Sequence, residues 1–161
     1  MDALSPGGAL DIAPADPLSA DSRALIAAQR AFSTANSPEG SEHSFDAAEL
    51  AVAGALFLLA RSGGTPVGCG ALVRLGSGEG EVKCMHTLAE ARGKGVARAV
   101  LAALIAAARQ EGLAALCLET GAQPAFGASR RLYERAGFVP CLPFANYRAD
   151  PHSAFYRCAL G

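Results

Sequence analysis

Hydrophobic positions change their spacing along this chain, from the alternation typical of strands to the longer period of helices. Apolar runs at 56–61 and 67–75 predict two strands, joined by the hairpin signal Ser62-Gly-Gly-Thr65. A further strand is predicted at 81–87, and apolar residues at helical spacing predict a long helix over 96–109. Strands and helices that alternate in this way indicate an α/β fold.

The remaining elements follow from the same pattern. We expect a strand at 10–13 ended by Pro14, a helix over 22–32 capped by Asp21 and Ser22, a polar loop at 33–44, a strand at 113–119 and a helix that ends near 131–138. The sequence contains no internal repeat and no composition change that would mark a second domain. We therefore expect one domain over 1–161.

Composition narrows the class of protein. Hydrophobic residues make up 51% of the 161 positions and charged residues 18%, which is typical of a globular chain. The formal net charge of −1 gives no electrostatic basis for a nucleic-acid or membrane-surface partner. No apolar stretch reaches transmembrane length, and residues 1–6 lack the basic residues that begin a signal peptide. We expect a cytoplasmic protein.

The cysteines support the same compartment. Their number is odd, no two are spaced as C-x-x-C, and three lie in apolar, strand-like runs. We expect reduced, buried thiols without a disulfide or a metal. The five are Cys69, Cys84, Cys117, Cys141 and Cys158.

The run Glu90-Ala-Arg-Gly-Lys-Gly-Val-Ala-Arg98 lies between a predicted strand and the long helix. A helix start leaves backbone N–H groups unpaired and carries the positive end of the helix dipole. Gly93 and Gly95 let the backbone approach an anion closely, and Arg92 and Lys94 add positive charge beside it. The run predicts a phosphate or pyrophosphate site.

Three known phosphate loops compete for this run. A Walker loop needs Ser or Thr directly after Gly-Lys, and Gly95 stands there instead. A dinucleotide loop, G-x-G-x-x-G, would place its third small residue at Arg98, although Glu119 lies where an acid could bind a ribose. The third pattern, [QR]-x-x-G-x-[GA], is matched in register by Arg92, Gly95 and Ala97.

A second phrase, Leu132-Tyr133-x-x-x-Gly137-Phe138, follows after about one helix, one strand and one helix. In this order and spacing, the two motifs resemble those of the GNAT superfamily of acetyl-coenzyme A-dependent N-acyltransferases. The resemblance runs from about Val67 to the C-terminus, and more loosely includes the helix at 22–32. The residues at 118–121 and 143–153 also look like those of a group of small bacterial GNAT proteins.

The resemblance implies a fold and its division. We expect a central twisted sheet, mixed but mostly antiparallel, of about six or seven strands flanked by about four helices. A substrate-facing half would span about 8–75, and an acetyl-CoA-binding core about 81–161. Acetyl-CoA is the implied co-substrate, and no metal is implied.

The resemblance also assigns coenzyme contacts. The end of the strand at 81–87 would splay and offer backbone amides to the pantetheine and the acetyl oxygen. The sequence departs from the family pattern at two positions. Ala89 replaces a frequent proline, and Phe126 replaces a frequent asparagine that contacts the coenzyme. The second departure weakens the assignment of Phe126 and Ser129 as coenzyme contacts. The implied contacts are Met85, His86, Thr87, Arg92, Gly93, Lys94, Gly95, Val96, Ala97, Phe126, Ser129 and Tyr133.

Acyl transfer needs an acid for the departing thiolate and a base for the attacking amine. Tyr133 stands where the family often keeps a tyrosine that protonates the coenzyme A sulfur, and core packing is its alternative role. Glu81 is our first choice for the base, with Glu119 as the other carboxylate near a strand end and as a substrate contact. His43, in the polar loop, is a further candidate for the substrate side.

The expected function is transfer of an acetyl group from acetyl-CoA to a primary amine of a small polar acceptor, by direct attack in a ternary complex. The acceptor would be selected by residues 22–60, which carry several acids and serines. Two alternatives stay open: a catalytically silent acyl-CoA-binding regulatory domain, and a nucleotide-binding oxidoreductase domain. A homodimer is also left open.

Overall fold

The structure, a computed structural model, describes residues 9–161. Its strands are β1 (Leu10–Pro14), β2 (Leu56–Ser62), β3 (Thr65–Arg74), β4 (Gly80–Thr87), β5 (Ala115–Gly121), β6 (Val139–Pro140) and β7 (Ser153–Ala159). They form a seven-stranded sheet in the order β1-β2-β3-β4-β5-β7-β6. Neighbouring strands are antiparallel except β4 and β5, which are parallel. This mixed, mostly antiparallel sheet confirms the expected fold class.

Four helices cover the sheet: α1 (Ala20–Asn36), α2 (Ala47–Val52), α3 (Val96–Gln110) and α4 (Gly127–Arg135). Short 3-10 turns at Ala89–Ala91 and Pro124–Phe126 lead into α3 and α4. None of the helices in the described part of the chain is long and apolar enough to cross a membrane.

The helices divide the core between the two faces of the sheet. We call the face covered by α1 and α2 the α1 face, and the opposite face, covered by α3 and α4, the α3 face. The core of the α3 face includes Leu72, Val100, Leu101, Leu104, Leu116, Leu118, Tyr133 and Phe138. The core of the α1 face includes Leu25, Ile26, Leu50, Phe57, Leu59 and Cys69.

The sheet opens between its two parallel strands. β4 and β5 are paired only at Gly80 with Leu116 and at Glu81 with Cys117. A register shift in the β3–β4 ladder and a left-handed residue, Cys84 with φ 59°, mark a bulge in β4 just beyond these pairs. The bulge bends β4 away from β5, so the ends of the two strands diverge and a gap opens between them.

The N-terminal half differs from expectation in detail. The N-cap of α1 is Ser19, whose Oγ accepts from the N–H of Ser22, and the helix continues through Asn36 into the region expected to be a loop. α2 was not predicted, although Asp46 and Glu49 form the reciprocal capping box that signals a helix start. β7 was also not predicted.

Two other expectations concern the cysteines and the N-terminus. All five cysteines are free thiols; four are buried, and Cys141 is half-buried. The interpretation of residues 1–6 lies outside the described residues.

Candidate active site

A cleft of about 1130 Å³ follows the gap between β4 and β5. Residues of α1 and the following loop line it on one side, and residues of α3 and α4 line it on the other. The cleft therefore connects the α1 face of the sheet with the α3 face through the place where the two parallel strands separate. Ligands can approach each other from opposite faces only at such an opening.

The glycine-rich run forms the turn between the first 3-10 turn and α3. Gly93 and Gly95 have φ of 75° and 83°, a region that L side chains rarely adopt, and Gly95 is the N-cap of α3. A Cβ at either glycine would meet no atom within 4 Å, so open space lies beside the backbone. The first helical bond joins the N–H of Ala99 to the carbonyl of Gly95, which leaves the preceding N–H groups directed out of the helix.

Most predicted residues of this loop line the cleft, and two do not. Arg92, Gly93, Gly95 and Ala97 are among the lining residues. The side chain of Val96 is 4% exposed and belongs to the core of the α3 face, so only its backbone can reach a ligand. Lys94 does not line the cleft.

Four arginines that the sequence reasoning did not assign also line the cleft. They are spaced at helical intervals on two different helices, so nothing in the local sequence distinguishes them from solvated surface charges. Only the packing of α3 beside α4 brings them to one opening. They are Arg98 and Arg109 on α3, and Arg131 and Arg135 on α4.

The last residues of β4 line the cleft at its centre. Met85, His86 and Thr87 are all among the lining residues, on the edge that β5 leaves unpaired. The Oγ1 of Thr87 is buried and has no hydrogen-bond partner among the described residues. A bound molecule would supply that partner. Burial, followed by the charge of Arg92, lowers the pKa of His86, so the imidazole is neutral at pH 7.

Phe126 and Ser129, at the start of α4, both line the cleft. The ring of Phe126 is 8% exposed and lies directly over Gly121, where an added Cβ would come 2.2 Å from Cδ2 of the ring. Phe126 therefore reaches the end of β5 and leaves Ser129 as the hydroxyl of this helix start. The ring of Phe126 contacts the ring of Phe32 on the α1 face.

Tyr133 and Glu119 line the cleft from opposite faces of the sheet. Tyr133 is 5% exposed within the core of the α3 face. Glu119 follows Leu118 on β5, and since Leu118 belongs to that core, the side chain of Glu119 points to the α1 face. Glu119 has no ion-pair partner among residues 9–161.

Burial sets the protonation of both groups. It is the largest cause that raises the pKa of Tyr133 well above its ordinary value, and the nearby charge of Glu119 adds to this rise. Burial also raises the pKa of Glu119, partly offset by the nearby hydroxyl of Ser153 and then by His43 and Lys83. The phenol is thus held protonated, and the carboxylate is a stronger base than an exposed one.

Glu81, the first choice for the base, is enclosed. Its side chain is 7% exposed, and its Oε2 accepts from the hydroxyl of Tyr147 at 2.5 Å and lies 3.4 Å from the ammonium of Lys83. Glu81 is not among the described residues that line the cleft, whereas Glu119 is. The geometry therefore favours Glu119 as the carboxylate that can reach an acceptor.

Lys83 joins Glu81 to the loop that carries His43. Its ammonium donates to the carbonyl of His43 at 3.2 Å and to the hydroxyl of Tyr147 at 3.0 Å, and lies 4.2 Å from the ring centroid of Phe45. The rings of His43 and Tyr147 are in edge contact at 5.2 Å. Lys83 was not predicted from the sequence. Its signal was present, since Glu81 and Lys83 are two residues apart on one strand and therefore place opposite charges on the same face.

These observations exclude one alternative. A dinucleotide-binding domain has a mostly parallel, doubly wound sheet, whereas here only β4 and β5 are parallel. Among residues 9–161, no group of three His, Cys, Asp or Glu side chains is arranged to hold a metal ion.

Comparison with known proteins identifies the family. The sequence profile of the acetyltransferase (GNAT) family matches residues 23–138. The uncharacterized N-acetyltransferase YsnE of Bacillus subtilis is 42% identical over 122 residues, 76% of this chain and 81% of that protein. A crystal structure from Klebsiella pneumoniae, assigned to the acyl-CoA N-acyltransferases, is 33% identical, with a TM-score of 0.80 over 96% of this chain and 100% of that one.

A Salmonella typhimurium structure, yncA, solved with its cofactor acetyl-CoA, has the same fold at 21% identity, with a TM-score of 0.70 and 95% of each chain covered. The sheet that opens between β4 and β5 and the glycine loop at the start of α3 match the expectations drawn from the two sequence motifs. The chain therefore belongs to the GNAT family, and it is an acetyl-CoA-dependent N-acetyltransferase.

Proposed function

We propose that this protein acetylates the primary amine of a small acceptor by direct attack on acetyl-CoA within a ternary complex. The observation that carries the proposal is the pair formed by Glu119 and Tyr133, which line one cleft from opposite faces of the sheet. A base on one face and an acid on the other, with an opening between them, suit a reaction in which two substrates meet in the gap.

Acetyl-CoA would enter from the α3 face. The helix start at 95–98 would bind the pyrophosphate through backbone N–H groups, with Arg92 and Arg98 as counter-charges. The pantetheine would lie along the unpaired edge of β4, where Thr87 Oγ1 is available as a hydrogen-bond partner. The thioester would then reach the gap beside Tyr133.

The acceptor would enter from the α1 face as an ammonium ion attracted by Glu119. Glu119 takes one proton from the ammonium, and the neutral amine attacks the thioester carbonyl. The new C–N bond forms, the C–S bond breaks, and the sulfur leaves with the electron pair of that bond. Tyr133 donates its proton to this sulfur and is reprotonated by the second proton released from the acceptor nitrogen, while the proton on Glu119 passes to solvent.

A raised pKa suits both roles. Glu119 holds a proton more strongly than an exposed carboxylate, so it accepts one from an ammonium more readily. Tyr133 stays protonated between turnovers because its pKa is well above neutrality. The role first assigned to Glu81 is taken here by Glu119, while Glu81 supports the wall of the acceptor side.

Two measurements test this proposal. Acetyl-CoA should raise the melting temperature in a concentration-dependent way, since it binds the folded state, and NAD at the same concentration should not. Initial rates of thiol release should give intersecting lines when both substrates are varied. Parallel lines, together with loss of activity in Cys84→Ala, would instead indicate an acetylated cysteine, because Cys84 also lines the cleft.

A further inference from the structure

We propose that the acceptor side of the cleft is an aromatic-walled chamber that selects arylalkylamines, small primary amines whose nitrogen is joined by a short linker to one flat ring. This inference rests on the proposed function and narrows its acceptor. The sequence led us to expect a small polar amine; here the amine is instead attached to an aromatic ring. The features that carry it are an aromatic wall, its distance from Glu119, and the charges on the α1 face.

Three rings from distant parts of the chain form the aromatic wall. Phe32 on α1 contacts Phe126 edge-on, with centroids 5.4 Å apart and an interplanar angle of 82°. Phe32 also lies 6.0 Å from the ring of His86 on β4. All three line the cleft. Rings in such tilted contacts favour a further aromatic ring as their neighbour over a polar group.

The wall begins close to the carboxylate. The ring of Phe126 covers Gly121, and Gly121 lies two residues after Glu119 on the same face of β5. Two residues of a strand span about 7 Å. The carboxylate and the ring therefore start from neighbouring positions on one face of β5, within reach of an acceptor whose nitrogen and ring are joined by a short linker. The missing side chain at Gly121 is what lets the ring approach the strand this closely.

The charges on the α1 face oppose a charged acceptor body. Among the described residues that line the cleft, Glu119 is the single carboxylate. It can pair with one ammonium group of an acceptor, and a second ammonium group would have no partner. The ammonium of Lys83 already contacts Tyr147, the carbonyl of His43 and Glu81, so it is not available for an acceptor carboxylate. The guanidinium of Arg92 lies 5.5 Å from the ring centroid of Phe32, so it also borders this wall, and in the proposed complex its charge is matched by the pyrophosphate of acetyl-CoA.

One polar group refines the choice of ring. Gln29 lies three residues before Phe32 on α1 and also lines the cleft. Its Oε1 is buried and has no hydrogen-bond partner among the described residues. Residues three apart on a helix are neighbours on one face. A ring that carries a hydroxyl or an N–H group would give this oxygen its missing donor, so we expect phenols and indoles to be preferred over a plain phenyl ring.

Two loops meet beside the chamber. Ser41 Oγ donates to Oδ2 of Asp150 at 2.6 Å, which ties the loop after α1 to the loop before β7. The edge contact between His43 and Tyr147 joins the same two loops. Loops tied to each other in this way limit the space for an extended peptide and favour a small acceptor.

The test is the rate of acetyl-CoA-dependent thiol release with matched amines. Tyramine and tryptamine should give a kcat/KM at least tenfold above those of glucosamine, putrescine, glycine and a serine-initiated peptide, with phenethylamine between. A polar amine that equals or exceeds tyramine would overturn the inference, and so would the absence of turnover with every arylalkylamine. Either result leaves acetyl-CoA binding intact, whereas failure of acetyl-CoA to bind would reject the proposed function itself.

Variants separate the wall from general folding effects. Phe32→Leu should lower kcat/KM for tyramine about two- to tenfold, because a ring contact is lost and the apolar volume is kept. The kcat/KM for an aliphatic amine such as butylamine should fall clearly less than that for tyramine, because leucine keeps the apolar contact. Gln29→Leu should remove the advantage of tyramine over phenethylamine. Phe144→Leu is the matched control: Phe144 is also half-buried, packs against Tyr147 and Phe155, and does not line the cleft.

An equal loss for tyramine and butylamine in Phe32→Leu would contradict the aromatic wall and show that Phe32 only packs α1 against β4. The same loss in Phe144→Leu and Phe32→Leu would also contradict it. In both cases the melting temperatures of the variants show whether folding was changed.

Discussion

The two sides of the cleft are built in different ways. On the α3 face, the proposed coenzyme side presents backbone N–H groups of one helix start, with two glycines within three residues of each other. On the α1 face, the proposed acceptor side presents side chains from segments far apart in sequence. Lys83 and His43 are 40 residues apart, and Ser41 and Asp150 are 109 apart.

In the proposed function, this difference would make the coenzyme side general and the acceptor side specific. Backbone groups offer the same hydrogen bonds whatever the side chains are, so a phosphate site survives many substitutions. Side-chain contacts depend on each partner, so the acceptor side can change its selectivity when a single residue changes. The charges follow this division in part: Arg98 and Glu119 lie on opposite sides, but Lys83 and Arg92, whose guanidinium lies against Phe32, also line the cleft.

The largest effect is expected from Glu119→Gln. The variant keeps the shape of the side chain but cannot accept a proton, so kcat/KM for the amine should fall by about a hundredfold or more. The wild type should lose activity as the pH falls through the raised pKa of Glu119, because the base must be unprotonated. A pH–rate profile of both proteins checks this, and the variant should lack that acidic limb.

The same variant tests whether the buried carboxylate of Glu119 lowers the stability of the fold. A carboxyl group whose pKa is raised in the folded state adds stability below that pKa and loses it as the pH rises through it. At neutral pH, Glu119→Gln should therefore raise the melting temperature while acetyl-CoA affinity stays unchanged. The matched control is Glu81→Gln, in which a buried ion pair with Lys83 is broken, so the melting temperature should fall. The opposite pattern would return the base to Glu81.

Tyr133→Phe should have the next largest effect. The ring and its packing are kept and only the proton donor is lost, so kcat should fall by about a hundredfold with little change in the KM for acetyl-CoA. Tyr156→Phe is the control, since Tyr156 is 4% exposed in the same core and its hydroxyl bonds to Glu134. Wild-type turnover in Tyr133→Phe, with chemistry shown to be rate-limiting, would make Tyr133 a packing residue.

A smaller effect is expected from alanine at Gly95. Comparison with alanine at Gly112 separates a loss of acetyl-CoA binding from a loss of helix stability. Gly95 and Gly112 flank α3 with similar φ of 83° and 75°, and a Cβ at either meets no atom within 4 Å. Alanine at either position should reduce stability by about 1–2 kcal/mol through backbone strain. Only Gly95→Ala should also weaken acetyl-CoA binding, by about tenfold, because the added Cβ would occupy the open space through which a phosphate would approach the backbone N–H groups. Calorimetric titration of both variants compares them, and equal affinities would reject the phosphate loop.

The smallest effect is expected at the hydrogen bond between Ser41 and Asp150, which joins the two loops beside the proposed acceptor side. Ser41→Ala removes the hydroxyl that donates to Asp150 and frees the two loops from each other. The KM for the amine should rise about two- to fivefold, and the KM for acetyl-CoA should not change. Ser77→Ala serves as the control, since Ser77 is exposed in the turn between β3 and β4 and does not line the cleft. A matching rise in the KM for acetyl-CoA would mean that the two sides are not independent.

Local chemistry made much of the coenzyme side predictable. The positive φ of Gly93, Gly95 and Gly137, the helix over 96–110 and the positions of Arg92 and Tyr133 all follow from short-range patterns. Lys94 shows the limit of such reasoning. Adjacent residues at a helix start point in different directions, so one lines the cleft while its neighbour does not.

The choice between Glu81 and Glu119 depended on the tertiary structure. Both are carboxylates near strand ends in the sequence, and only the order of the strands decides which one faces an opening. β4 and β5 are paired near Glu81 and separate before Glu119, so the first is enclosed by Lys83 and Tyr147 and the second lines the cleft.

The sequence by itself determined the family, the glycine turn before α3 and the helix that carries Tyr133, because dihedral preferences, helix starts and hydrophobic periodicity act over a few neighbouring residues. The tertiary structure decided which carboxylate can reach an acceptor, which arginines meet at the cleft and how Phe32, His86 and Phe126 form one wall. These contacts join residues tens of positions apart, and their distances are set by the packing of whole strands and helices rather than by any local pattern.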